Sequence, residues 1–278
     1  MAAFNGSILI AGVARNCANN VKPCVAKMLE LGTLWEKSSL LVVTNDNSDG
    51  TPAALAASGL EARGGKILQL DGLAKRLKSR TERLAHVRNE ILRHMWNMKP
   101  VPDCLIMMDM DGLNDSLPTG DNFVRAIASA PEGWAGLFPN QLPYYYDIYA
   151  LRHAKWCNID VVNAVDFGRN PILGWLRLPR IVGARQIRMP LHSQPIRVNS
   201  AFGGFGLYRT QSLRDCWYDG RRGDAEICEH VPFHEAASSK GGRFYIVPSL
   251  INLAPRAHIF RWFKKSRFQE AYDKGEYF

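Results

Sequence analysis

Between residues 7 and 108 the chain alternates short apolar runs with helix-like segments, and this alternation limits the folds open to it more than any other feature. The runs are Ser-Ile-Leu-Ile-Ala at 7–11, Ser-Leu-Leu-Val-Val-Thr at 39–44, Lys-Ile-Leu-Gln-Leu at 66–70 and Cys-Leu-Ile-Met-Met at 104–108. Continuous apolar strands of this length suit burial on both faces, as in a parallel sheet between helical layers. Helices are predicted over 17–31, interrupted by Pro23, over 52–59 and over 81–97. In the last of these, Leu84, Val87, Ile91, Leu92 and Met95 fall on one face, a stripe suited to packing on a sheet. The series predicts an α/β fold with a mostly parallel sheet covered by helices on both faces. Beyond Asp111 the regularity breaks. A polar loop at 112–120 precedes a short helix, a strand is predicted at 134–138, and an aromatic stretch follows with Tyr144, Tyr145, Tyr146 and Tyr149. Residues 167–199 carry six arginines with little periodicity and read as an irregular, functional length of chain. One domain is predicted, with halves at 1–115 and 116–278.

With 278 residues and 46% hydrophobic content, the chain can bury a sizeable core. No apolar run approaches the roughly 18 to 20 residues needed to span a bilayer. The run at 7–14 has no basic segment before it and reads as a core strand, not a signal sequence. The six cysteines are scattered without metal-ligand spacing, as expected of free thiols in a reducing cytoplasm. A net charge of +9 favours an anionic partner: a nucleotide, an anionic glycan, a phospholipid headgroup or nucleic acid. The last is set aside because no nucleic-acid-binding module is present.

Ligands of open α/β sheets bind beyond the carboxyl ends of the strands, so the polar residues that follow each strand are the first candidates. Ala14 and Arg15 follow the first strand, Asn45 and Asp46 the second, and Asp109-Met-Asp111 the fourth. Two acids two residues apart at a strand end point the same way, and paired hard oxygens suit Mg²⁺ or Mn²⁺. Asp46, in Asn-Asp-Asn-Ser-Asp-Gly, is equally suited to accept from a ribose or to form a turn. Arg88 is placed to meet phosphate or to pair with an acid.

Taken in order, the motifs resemble the GT-A class of nucleotide-sugar glycosyltransferases, whose fold is Rossmann-like. Asp46 to Thr51 resembles that class's acidic turn for base and ribose, His86-Val-Arg88-Asn89 its Arg-Asn element near the donor, and Asp109-Met-Asp111 its metal-binding DxD. The segment from Asn199 through Gly203, Gly204 and Gly206 to Arg209 resembles its glycine-rich loop, and Cys228-Glu229-His230 stands where its xED motif is expected. His258, which follows a strand predicted to end at Pro248, falls at the place of its C-terminal metal-binding histidine. One departure is His230, which stands where the motif usually has an acid. Arg83 to Asn89 and Tyr146 to Arg152 carry a local likeness to the fungal capsule-associated mannosyltransferase family.

The resemblance implies a metal-dependent transferase that moves a sugar from a nucleotide diphosphate to a glycan or lipid-linked glycan. Mn²⁺ or Mg²⁺ would be held by Asp109, Asp111 and His258. The donor would meet Ala14, Arg15, Asn45, Asp46, Arg88, Asp109, Gly203 and Gly204, the two glycines allowing close backbone approach. Glu229 is the expected general base of an inverting reaction. If Glu229 pairs instead with an arginine of the Arg221-Arg222 turn, a retaining reaction is favoured. A Mg²⁺-dependent phosphohydrolase with Asp109 as nucleophile is the rival, and a nucleotide-sugar-binding module without turnover is a third reading. One of the tyrosines after Pro143 is expected to touch substrate. The basic residues Arg177, Arg180, Arg185, Arg188 and Arg197, with Trp262, Lys264, Lys265 and Arg267, are expected to face an anionic acceptor or a membrane surface as a peripheral contact.

Overall fold

The fold was obtained as a computed structural model, which describes residues 3–116, 118–165, 171–260 and 266–276. Trp262, Lys264 and Lys265 of the expected basic face lie outside the described residues. In chain order the strands are β1 (Phe4–Ala14), β2 (Trp35–Thr44), β3 (Lys66–Gln69), β4 (Cys104–Asp109), β5 (Gly136–Leu142), β6 (Ile196–Val198), β7 (Phe205–Arg209), β8 (Arg221–Arg222), β9 (Ala225–Glu226) and β10 (Phe244–Leu253). The helices are α1 (Ala18–Gly32), α2 (Thr51–Ala57), α3 (Leu73–Arg76), α4 (Arg80–Asn97), α5 (Gly120–Ala128), α6 (Val161–Val165), α7 (Pro171–Ile181), α8 (His230–Ser238) and α9 (Arg267–Asp273).

Eight strands form one sheet in the order β3-β2-β1-β4-β7-β5-β10-β6, and β8 and β9 make a separate small ribbon. The first four strands are parallel to one another, as is the β5–β10 pair, while β7 and β6 run antiparallel to their neighbours. Successive strand side chains face opposite ways, and here both faces are buried. Leu9, Ala11, Leu41, Val43, Leu105 and Met107 join Val87, Ile91, Leu92 and Met95 of α4 in one core. Their neighbours Ile8, Ile10, Leu40, Val42, Ile106 and Met108 join Val21, Cys24, Val25, Met28 and Leu31 of α1 in the other. This explains the continuous apolar runs. Helix α4 starts at Ser79, whose hydroxyl accepts the Glu82 N–H at 3.4 Å, a Ser-x-x-Glu start of the capping-box type.

Three departures from the sequence-based expectations have local causes. Residues 171–181, expected to be irregular, form α7: Gly174, Leu178 and Val182 recur at helical spacing on its buried side, although Gly174 and Pro179 dilute the pattern. The strand around Pro248 runs on to Leu253, with a register shift against β5 between Val247 and Ile251 that accommodates the proline. Arg185 is buried, not on a basic face, with its guanidinium 4.7 Å from the Phe268 ring and a hydrogen bond to the Ile181 carbonyl at 2.8 Å. All six cysteines are free. Among the described residues, no helix is long and apolar enough to cross a membrane.

Candidate active site

Parallel pairing of β2, β1 and β4 brings their carboxyl ends to one rim, with Ala14 opposite Thr44 and Val13 opposite Asp109. Two groups of expected site residues lie along this rim. One lines a cavity of about 690 Å³: Arg88, Asp109, Asp111, Gly204, Glu229 and His258. The other, Ala14, Arg15, Asn45 and Asp46, stands at the ends of β1 and β2, outside that lining.

Helix α4 faces the cavity with Arg80, Leu84 and Arg88, at i, i+4 and i+8 on one stripe. Leu84 thus belongs to the cavity wall as well as to the edge of the core. Arg88 is only 2% exposed. Its Nη2 donates to Asp109 Oδ1 at 2.9 Å and its Nε to Glu229 Oε1 at 3.1 Å. The guanidinium lies 4.6 Å from the Phe202 ring centroid. Arg88 therefore lines the cavity while its guanidinium is committed to two acids. Glu229 precedes α8 and pairs with Arg88, not with the Arg221-Arg222 turn, whose arginines pair with Glu82 and Glu235. Neighbouring Asn89 exchanges two hydrogen bonds with the Tyr218 backbone, at 2.9 and 2.8 Å, and so anchors the segment leading to β8.

Asp109 closes β4, and Asp111 stands two residues on, exposed at the cavity wall. Partial desolvation by the surrounding cavity walls, followed by the negative charge of Asp109, raises the Asp111 pKa to about 7. Asp111, which makes no ion pair with another described residue, together with the half-buried Asp109 offers hard oxygens of the kind that suit a divalent cation. His258 lines the same cavity 5.7 Å from the Tyr146 ring, and burial, then Arg80, holds its pKa below the ordinary histidine value. Among the described residues, no three His, Cys, Asp or Glu side chains are gathered closely enough to form a metal cluster, so Asp109, Asp111 and His258 share a cavity without closing on one point.

Gly203 and Gly204, with φ of +69° and +78°, make the turn into β7. A Cβ on Gly203 would lie 2.1 Å from Gln141 Nε2, and one on Gly204 2.7 Å from Leu113 Cδ1, so both glycines answer to packing within the protein. Asn114 Nδ2 donates to the Asp109 and Gly204 carbonyls at 3.1 and 2.8 Å, and Asn252 Nδ2 to Asn114 Oδ1 and the Gly203 carbonyl at 2.9 and 2.7 Å. These two fully buried amides tie the end of β4 to the glycine turn and to β10.

At the other end of the rim, Asp46 accepts from the Gly72 and Ala74 amides at 2.6 and 2.8 Å and from Asn45 Nδ2 at 3.1 Å. Partial burial opposes ionisation there, but these hydrogen bonds, Ala74 foremost, lower its pKa. Asp46 is thus a clamp on the turn into α3. Arg15 Nε reaches the Asp46 carbonyl at 3.4 Å.

The sequence reading missed several residues. Asp147 lines the cavity, and its carboxylate accepts from the Gly203 and Ala150 amides at 2.7 and 3.3 Å. Burial raises its pKa to about 6 despite those two bonds. Phe202 stacks on His230 at 3.7 Å between centroids, and burial, followed by Arg88, keeps His230 neutral, so it does not replace the acid of the motif. Of the tyrosines singled out in the sequence, Tyr146 and Tyr149 line the cavity, whereas Tyr145 is fully buried against Trp156 at 5.1 Å. The Arg80, Leu84, Arg88 spacing was readable in advance. Asp147 had no such signal beyond its place in an aromatic stretch.

No protein-family model matches the chain, and no curated protein matches it in sequence. Among solved structures it is similar to a mannosyltransferase from Pyrobaculum calidifontis in complex with GDP-Man and Mn²⁺: 14% identity over 91% of this chain and 58% of that one, TM-score 0.52. Also similar is a glucosyl-3-phosphoglycerate synthase from Mycobacterium tuberculosis in complex with Mg²⁺ and UDP, at 12% identity, 91% and 71% coverage and a TM-score of 0.46. The chain spans little more than half the length of the mannosyltransferase, and the second likeness is too distant to carry weight. What the first shows is the fold: a mainly parallel α/β sheet of the GT-A, Rossmann-like type.

Proposed function

We propose that this chain is a metal-dependent glycosyltransferase, moving a sugar from a nucleotide diphosphate to a hydroxyl of a glycan or lipid-linked glycan. The observation that carries this reading is the single cavity into which β4 delivers Asp109 and Asp111 while Asp147, Glu229, Tyr146 and Phe202 form the facing walls. Asp109 and Asp111, with His258, would hold Mn²⁺ or Mg²⁺, which supplies charge compensation for the departing diphosphate. The nucleoside would lie along the rim toward Ala14, Arg15, Asn45 and Asp46, with Asp46 shaping the turn there. Tyr146 and Tyr149 offer flat walls for a sugar ring. The local likeness at Arg83 to Asn89 and Tyr146 to Arg152 to the capsule-associated mannosyltransferases leaves the sugar open.

In an inverting reaction a carboxylate takes the proton of the acceptor hydroxyl, and Glu229 fills that role at the start of α8. A second assignment is favoured by a specific contrast. Glu229 is engaged by Arg88, whereas Asp147 accepts from the Gly203 and Ala150 backbone amides and has a pKa of about 6, close to the range in which a base operates. Glu229→Gln and Asp147→Asn, compared for turnover and donor binding, separate the two: the true base loses turnover by orders of magnitude with donor binding kept.

The function itself is tested by a thermal-shift screen of nucleotide sugars with and without Mn²⁺, since a ligand that binds the native state stabilises it. A donor that raises the melting temperature only with metal is the expected result. Hydrolysis of simple phosphate esters, with a trapped phospho-Asp109, would replace this reading with the phosphohydrolase. Metal-dependent donor binding without turnover on a broad acceptor panel would leave a binding module.

A further inference from the structure

Helix α7 turns an apolar face to solvent. Its inward side is already satisfied by Gly174, Leu178 and, just past its end, Val182, all buried. Its outward side carries Ile172, Leu173, Trp175 and Leu176, exposed to 74%, 44%, 64% and 59%. A surface helix of a globular protein ordinarily presents polar residues there, and adjoining exposed apolar side chains mark an interaction site. The surrounding charge has one sign. From residue 171 to residue 200 the chain has five arginines and no Asp or Glu. Four of them, Arg177, Arg180, Arg188 and Arg197, are exposed.

From these residues we infer that α7 docks the protein on an anionic membrane surface. A helix with Trp, Leu and Ile on its exposed arc and arginines beside them suits the boundary between headgroups and acyl chains, where apolar side chains sink in and guanidinium groups meet phosphate. The exposed residues, at 172, 173, 175 and 176, spread over a wide arc of the helix, a shape suited to a yielding interface. The overall charge of +9 acts in the same direction.

The docking surface is continuous with the candidate active site. Trp175, Leu178 and Val182 line the cavity that contains Asp109, Asp111 and Glu229. A bilayer held against α7 would thus face the cavity mouth, where the hydroxyl or phosphate end of a lipid-anchored acceptor could enter. This last consequence rests on the glycosyl-transfer reading, whereas the docking itself does not.

The test is flotation of the full chain with vesicles of phosphatidylcholine and phosphatidylglycerol at 3:1, against vesicles of phosphatidylcholine alone, without nucleotide sugar. The wild type should float with the anionic vesicles, and 0.5 M salt should reduce the bound fraction. Ile172→Ser with Leu176→Ser should lower partitioning at least tenfold while the melting temperature stays unchanged. Arg177→Gln with Arg180→Gln should lower it about tenfold on anionic vesicles only, which gives a second arm if the serine variant fails to fold. Absence of wild-type flotation, or equal flotation of both variants, overturns the inference. So does a lipid-free dimer that the serine pair abolishes, since the face would then be a contact between two copies. Because no donor is present, failure here leaves the nucleotide-sugar screen unaffected, and a negative screen leaves vesicle binding standing.

Discussion

Replacing Arg88 with Met removes one buried cation and leaves two acids behind. Glu229 is 5% exposed at its side chain and Asp109 26%, and both lose their partner together. Breaking a buried ion pair from one side costs about 3–5 kcal/mol, because the remaining charge stays out of water without compensation. The partly solvated Asp109 adds little, so a loss of about 4 kcal/mol is expected. Against a total stability of about 5–15 kcal/mol this is a large fraction. At about 2–4 °C per kcal/mol for a domain approaching this size, the melting temperature should fall by roughly 8–16 °C. Met retains contact with the Phe202 ring, which keeps cavity formation out of the comparison.

The assay is urea unfolding of metal-free protein, run as a double-mutant cycle with Glu229→Gln. If uncompensated charge is the cause, Gln at 229 should restore at least about 2 kcal/mol to the Arg88→Met protein, although it destabilises the wild type. Arg88→Lys should fall between, since one ammonium group does not span both carboxylates in the manner of a guanidinium fork. A loss below about 1 kcal/mol for Arg88→Met, or strictly additive losses in the cycle, would refute the reasoning.

Asp109→Asn weakens the Arg88 contact and should cost the metal-free protein about 1–2 kcal/mol, a quarter-exposed partner being worth less than a buried one. Asp111→Asn leaves that contact in place and should not lower the melting temperature, while both variants should lose the metal-dependent gain with a donor; equal metal-free stabilities would count against the pairing. Asp147 has a folded-state pKa raised from 3.8 to about 6, so the folded protein holds the extra proton between those values and stability declines as pH rises through that window. Asp147→Asn should accordingly be more stable than wild type by about 1–3 kcal/mol at pH 8 and similar to it at pH 3.5, and urea titrations that coincide at pH 8 would contradict this. Gly203→Ala forces a side chain into positive φ and onto the buried Gln141 amide, with an expected cost of about 2–4 kcal/mol. A near-neutral result would mean that the turn readily adopts another conformation.

What the sequence made legible follows from the range over which each signal acts. The β1, β2 and β4 strands and the α4 stripe were readable because period and composition are local, and burial on both faces leaves a run with no polar residue. The acids after β4 were readable as paired oxygens for the same reason. Asp46 was not, since an Asp in a turn-rich stretch looks the same whether it awaits a ribose or accepts the Gly72 and Ala74 amides 26 and 28 residues away. Helix α7 was hidden because so short an inward face leaves little periodicity. Arg88 shows the limit most clearly. Its partners lie 21 and 141 residues away, and only the tertiary placement of the end of β4 and the start of α8 beside α4 brings Asp109 and Glu229 to one guanidinium. The same arrangement sets the two carboxylates apart: Glu229 is paired with Arg88, while Asp147, held by two amides beside the glycine turn, keeps a costly negative charge in the cavity. A carboxylate that destabilises the empty protein, and whose charge an acceptor hydroxyl would relieve by donating to it, has the character expected of a working group.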